Sequence, residues 1–229
     1  MTMEDTTPNQ NKKQHATLNS NIKVVLKGGN NYIHPTAIIG DDVVLGDNNY
    51  IGAFCLITGK TIIGNNNRFE GFCSIGTEPE HKDYFDEPNE GVVIGNYNRI
   101  REFVTINAGC EKPTTLHNNI LALRGCYIGH DSTIYDNCTI SANVLIGGHC
   151  LLGYSVNMGL GSICHQFTKI GSYAMIGMGA IITKKIQPQC FGVYVGNPAK
   201  YIKENDYHKR NFTGEAVNKI CEKFENLVL

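Results

Sequence analysis

The stretch IGHDSTIYDNCTISANVLIGGHCLLGYSVNMGLGSICHQFTKIGSYAMIGMGAII, residues 128–182, places a bulky apolar residue at nearly every sixth position. The series runs Ile128, Ile134, Ile140, Ile146, Leu152, Met158, Cys164, Ile170, Ile176 and Ile182, with Cys164 its smallest member. Four residues after each of the first nine stands a small side chain: Ser132, Cys138, Val144, Cys150, Val156, Ser162, Thr168, Ala174 and Ala180. Each hexad thus turns one large and one small group inward. Glycine often follows the large one, as at Gly129, Gly153, Gly171 and Gly177, where a corner needs backbone freedom. Strands this short, with a turn every six residues, cannot make hairpins or helices. They make a parallel β-helix in which each hexad is one side of a triangular coil and eighteen residues complete it.

The same register runs upstream through Ile33, Ile39, Leu45, Ile51, Ile57, Ile63, Phe69 and Ile75, and returns at Ile94, Ile100 and Ile106. About seven coils at the spacing of paired strands give a prism roughly 35 Å long. Two segments break the register, near 76–93 and 107–119, and loops that interrupt a regular scaffold are where function concentrates. The solenoid is assigned to residues 21–190, after a polar tail at 1–20, and is followed by an extension at 191–229. Within the extension QPQCFGVYVGNPAKY (187–201) reads as a Pro/Gly-rich exit. Thr213 caps a final helix at about 213–228, with Phe212 and Val217 as a hydrophobic staple and Val217, Ile220, Cys221, Phe224 and Val228 along one face.

Composition narrows the function. A net charge of −1 with 18% charged residues argues against a nucleic-acid binder or a basic membrane anchor. No apolar run approaches a membrane span, and the N-terminus has no apolar signal core, so a cytoplasmic protein is expected. The nine cysteines include no CxxC pair, and most fall in the small inward slot, where cysteine acts as a compact core hydrophobe.

Residues eighteen apart stack. Gly129, Gly147 and His165 form one column, His130, Gly148 and Gln166 the next, and Asp131, His149 and Phe167 the third. All lie off the inward series, so their side chains are expected to face outward. Histidines and a carboxylate therefore crowd a patch about 10 Å high, and the glycines beside them leave room for a ligand. Histidine is suited to proton transfer near neutral pH. His/Asp groups also bind zinc.

At these residues a closer likeness emerges. HPTA (34–37), NRIRE (98–102), VTI (104–106), IGHD (128–131), GGH (147–149) and HQF (165–167) resemble the UDP-N-acetylglucosamine acyltransferase family, over about residues 33–212. The resemblance implies a left-handed coil and a homotrimer with active sites between adjacent prisms. It implies that His130 takes the proton of the sugar hydroxyl, that Asp131 orients it, and that the Gly148 amide meets the oxyanion. It places His149, His165 and Gln166 against substrate, and it argues against a metal, so none is assigned. The departures lie at the acceptor: Glu80 and His81 stand where the family has a Gln-Asp pair, and Asn107 and Tyr127 where it has histidines. The sequence GNPAK, with Gly196, Asn197, Pro198 and Lys200, resembles the exit of sugar acetyltransferases near the coenzyme A tail. By the same resemblance Met175 and Met178 narrow the acyl channel and favour a short chain.

The leading expectation is transfer of a short acyl group from acyl-CoA to the amino group of a nucleotide-linked sugar, since a neutral amine needs little base catalysis. The alternative is acylation of a UDP-N-acetylglucosamine-type sugar from acyl carrier protein, as in lipid A synthesis. A third reading, of another class, is a non-catalytic hexapeptide scaffold. No cofactor is expected to be held permanently; the acyl-CoA or acyl carrier protein is a co-substrate.

Overall fold

The computed structural model describes residues 25–26 and 28–227. The tail read at 1–20, and Val228, lie outside the described residues. The chain winds as a left-handed parallel β-helix whose strands, mostly two to four residues long, assemble into three sheets of eight, ten and eight strands. These are the three faces of the prism. Pairing follows the coil: Ile128 is the partner of Ile146, and Ile146 of Cys164. The bulky series is buried on the axis, with Cys55, Cys73, Cys138 and Cys150 packed between its members, and all nine cysteines are free.

There are eight full coils rather than about seven, which makes the prism about 38 Å long. Three strands escape the bulky-residue count. Val25–Leu26 pairs with Val44–Leu45, and Thr114–Leu116 and Leu121–Ala122 belong to the solenoid although the second break was placed over 107–119. Ala122 occupies the large slot, between Ile100 and Ile140, and its small size hides the register. The irregular segments are therefore shorter, from Glu78 to Gly91 and from Ala108 to Pro113.

The corners differ in chemistry. Many corner residues take a left-handed backbone conformation, which costs a non-glycine residue about 1 kcal/mol or more. At the first corner this falls largely to Asn30, Asn48, Asn66, Asn119 and Asn137, the residue type that tolerates it best. At the second it falls to Asn143 and to Phe54, Phe72 and Phe103, whose three rings stack outside the prism at 5.0 and 5.1 Å. At the third it falls to Asp131, His149 and Phe167, with φ of 58°, 54° and 61°.

Beyond the last full coil, the expected exit is a further strand. Gly192–Val195 continues the second face beside Met175–Ile176, and Lys200–Glu204 runs antiparallel to it. GNPAK is largely the turn between them. A short helix α1 (Asp206–Lys209) follows, then α2 (Gly214–Glu225), capped by Thr213 Oγ1 accepting from the Ala216 amide at 3.3 Å. Phe212 packs edge-on against Tyr173 and Phe191. Phe224, the buried side chain of α2, lies over Gly153, where a Cβ would come within 2.8 Å of its ring. The helix therefore rests on its own solenoid.

A ladder of buried asparagines reinforces the early coils. Asn67 donates to the Gly95 carbonyl at 2.8 Å and accepts from the Asn98 amide at 2.9 Å. Asn67→Ala leaves both groups buried without a partner, and is expected to cost about 2–4 kcal/mol of unfolding free energy, read as a lowered denaturant midpoint with an unchanged slope.

Candidate active site

The third corner gathers both loops. Each leaves the third face and re-enters on the first, so each is inserted at the corner that carries Asp131 and His149. The second loop folds down onto Asp131. Its backbone amides at Cys110, Glu111 and Lys112 donate to the Asp131 carboxylate at 3.0, 2.8 and 2.9 Å. Asp131 is completely buried and His130 is 6% exposed. This corrects the expectation that both face outward: the corner turns them out of the prism, and the loop then covers them.

The fourth donor to Asp131 is His130, whose Nδ1 lies 2.7 Å from Oδ2. Burial alone would raise the carboxyl, but the His130 bond and the three amides outweigh it and hold Asp131 well below the usual carboxylate range. It is an anion at neutral pH. An anion there places a proton on His130 Nδ1, so in the neutral ring the lone pair is on Nε2. Gly148 lies against that side of the ring: a Cβ would stand 2.6 Å from Nε2 and Cε1, so any other residue would have to displace the His130 ring. Among the described residues the Gly148 amide donates to no protein acceptor.

Around this pair the rings are ordered. His149 meets His130 edge-on at 5.1 Å and stacks on Phe167 at 4.5 Å. Its Nε2 is 3.7 Å from Asp131 Oδ2, yet burial outweighs that charge and lowers its pKa, which favours the neutral ring. His81, from the first loop, meets His130 edge-on at 5.6 Å. Glu80 accepts from the Tyr127 hydroxyl at 3.2 Å, which ties the first loop to the third face. Burial, then the charge of Glu80, pushes the Tyr127 phenol upward. Asn107 is buried rather than open to a ligand. Its Nδ2 donates to the Glu78 carbonyl at 2.8 Å, so it supports the first loop, while its Oδ1 has no partner among the described residues.

Other expected residues stand apart. His165 and Gln166 are exposed one coil further on, with His165 Nδ1 donating to the Gln166 carbonyl at 2.9 Å. Met175 is half-buried on the second face and Met178 is 74% exposed at the second corner. Gly196, Asn197, Pro198 and Lys200 are exposed at the closing turn. One chain therefore does not bring these to His130. Two neighbours escaped the sequence reading. Cys110 Sγ is 3.6 Å from His130 Nδ1, and Tyr84 meets His81 edge-on at 5.3 Å. Both lie in loops, where the hexad no longer says which residues meet. Burial, then Asp131, pushes the Cys110 thiol up to about 12.

The family described as bacterial transferase hexapeptide (six repeats) matches residues 28–59. Curated relatives are acyl-[acyl-carrier-protein]–UDP-N-acetylglucosamine O-acyltransferases. That of Xylella fastidiosa is 36% identical over 159 residues, 67% of this chain and 60% of that protein. That of Burkholderia orbicola is 34% identical over 150 residues, 63% of this chain and 56% of that protein. Over about two thirds of its length the chain is thus similar to hexapeptide-repeat UDP-N-acetylglucosamine acyltransferases. Among solved structures, the UDP-N-acetylglucosamine acyltransferase of Campylobacter jejuni superposes with a TM-score of 0.78 at 28% identity, covering 90% of this chain and 81% of that one. A second crystal structure of a UDP-N-acetylglucosamine acyltransferase gives 0.81 at 27% identity, covering 91% and 81%. The chain spans just over half the length of the first curated relatives it matches.

Because Asp131 anchors the second loop by charge-assisted bonds, Asp131→Asn is expected to release that loop as well as His130. The expected cost is on the order of 3 kcal/mol, with faster amide exchange at 108–113. The stabilisation from a carboxyl lowered in the folded state is present above its unfolded pKa and lost as pH falls through the folded one. Wild-type and variant stabilities should therefore converge in strong acid.

Proposed function

We propose that this chain is an acyltransferase that moves an acyl group from an acyl thioester to a UDP-N-acetylglucosamine-type nucleotide sugar. The observation that carries the reading is the His130–Asp131 pair at 2.7 Å, with Gly148 and its unpaired amide against the ring. Acyl carrier protein is the preferred donor, because the curated relatives are named for it. Acyl-CoA is the other donor to be tested.

In this reading His130 Nε2 accepts the proton of the acceptor hydroxyl as the sugar oxygen attacks the thioester carbonyl. The imidazolium that forms is stabilised by Asp131, which is already anionic and fixed by three amides. The tetrahedral oxyanion accepts from the Gly148 amide. Collapse breaks the carbon–sulfur bond, and the leaving thiolate recovers the proton from His130. His81, His149, His165 and Gln166 line the acceptor and acyl approaches. The exposure of His165, Gln166 and Met178 calls for a second wall, which a neighbouring subunit of a homotrimer supplies.

A second reading is favoured by one observation. Glu80 puts a carboxylate, joined to Tyr127, at the first loop. A carboxylate attracts an ammonium and offers no special advantage to a hydroxyl, so an amino-sugar acceptor, and hence N-acylation, fits this position. A mass-spectrometric assay of UDP-N-acetylglucosamine and its amino-sugar analogues, each with acyl carrier protein and coenzyme A thioesters, decides between the readings. Acylation of none of them defeats both.

His130→Ala is expected to lower kcat by about 10²–10⁴-fold, with the smaller loss for an amine. An unchanged kcat removes His130 from the chemistry. Glu80→Gln is expected to raise KM for the sugar and leave that for the donor nearly unchanged. For an amine acceptor the effect corresponds to one charge-assisted hydrogen bond, about 1.5–3 kcal/mol. Met178→Gly removes no core packing, since the side chain is exposed, and is expected to lengthen the preferred acyl chain while leaving stability unchanged.

A further inference from the structure

The third corner also brings together three donor atoms suited to a borderline-soft metal ion, with a fourth beside them. Cys110 Sγ lies 3.6 Å from His130 Nδ1, and His130 Nδ1 lies 2.7 Å from Asp131 Oδ2. The donor atoms of Cys110, His130 and Asp131 all fall within 4.8 Å of one another. His149 Nε2 stands outside that group but next to it, 3.7 Å from Asp131 Oδ2, where a small movement would bring it to the same ion. Sulfur, nitrogen and oxygen ligands arranged tetrahedrally around one zinc ion stand roughly 3.3–3.6 Å apart, given bond lengths of about 2.0–2.3 Å. Of the three measured separations, that of 3.6 Å already matches and that of 3.7 Å is slightly longer. The third, between Nδ1 and Oδ2, is short because a proton joins those atoms, and it opens by about 0.6 Å when the ion replaces the proton.

The charges match too. A thiolate and a carboxylate neutralise a divalent cation, and two neutral imidazoles complete the set, so the occupied site has no net charge in a buried setting. Asp131 is already an anion, held by three amides that remain bound when Oδ2 takes a metal, two of them on Oδ1. No sequence motif links these donors: Cys110 comes from a loop, and the others from two successive turns of the corner.

We propose that Cys110, His130, Asp131 and His149 form a zinc-binding site whose occupation switches His130 off. On binding, the Cys110 thiol gives its proton to solvent. The single ring proton of His130 moves from Nδ1 to Nε2, because a neutral imidazole that coordinates through one nitrogen carries its proton on the other. Nε2 then has no lone pair for the acceptor hydroxyl. One proton leaves per ion and nothing is oxidised or reduced. Binding stands on the geometry alone; inactivation rests on the reading of His130 as the base.

The test is a titration of the full chain, reduced and metal-free, with cobalt(II). The expected result is one ion per chain, with the visible bands of a tetrahedral site and a near-ultraviolet thiolate-to-cobalt band, both lost on adding zinc. Cys110→Ser should abolish the near-ultraviolet band and weaken zinc by more than tenfold, since even an outer partner of a ligand is worth about 10–100-fold. His149→Gln should keep that band and weaken zinc, which guards against misfolding of the first variant. Zinc should inhibit acyl transfer at the concentration that displaces cobalt, and Cys110→Ser should shift both midpoints together. A folded wild-type chain without the thiolate band, or a band that survives in Cys110→Ser, overturns the site. Binding at Cys110 without loss of activity overturns the switch, and with it the assignment of His130 as base, while the site itself stands.

Discussion

Every strand of the solenoid hydrogen-bonds to the strand one coil away, which fixes each residue about 4.8 Å from its counterpart in the next coil. This constraint turns a linear repeat into columns of side chains. It also explains how the chain absorbs two insertions without losing the fold. Between Ile75 and Ile106 the pairing spans thirty-one positions, and between Ile106 and Ile128 twenty-two, yet each residue is the direct partner of the next. An insertion at a corner lies outside the hydrogen-bonded faces, so the ladder closes beneath it. Both insertions use the same corner, and this brings their side chains to one place.

Asp131 is where that place becomes a single unit. A wholly buried carboxylate is costly unless fully bonded, and here it receives three amides from the second loop and one bond from His130. The same contacts hold the loop on the prism and fix which nitrogen of His130 carries the proton. Loop order, the charge of Asp131 and the tautomer of His130 are thus one coupled state. Cys110 and His149 border the same carboxylate, so whatever displaces the shared proton acts on all of it at once.

The acceptor side is more open to change. The first loop is held by contacts among its own backbone groups and by a few outward bonds, chiefly Glu80 with Tyr127 and the Glu78 carbonyl with Asn107. A segment held so lightly can alter its polar groups without disturbing the coil. Glu80 and His81 sit on that segment, whereas His130, Asp131 and Gly148 are locked by hydrogen bonding and packing.

The hexads by themselves determined the solenoid, the inward and outward sets, and the columns that put His130 beside Asp131, Gly148 and His149. They could do so because a side-chain period tied to backbone pairing needs no long-range information beyond the eighteen-residue step. They also undercounted the coils, because Ala122 is too small to mark its slot and the strand at Val25 precedes the clear series. The burial of Asp131, the supporting role of Asn107, the nearness of Cys110 and Tyr84 to the histidines, and the closing hairpin through GNPAK were decided only by the tertiary structure. Each depends on a loop or turn whose path is set by which carbonyls and carboxylates it finds to bond. No periodicity in the chain encodes that choice.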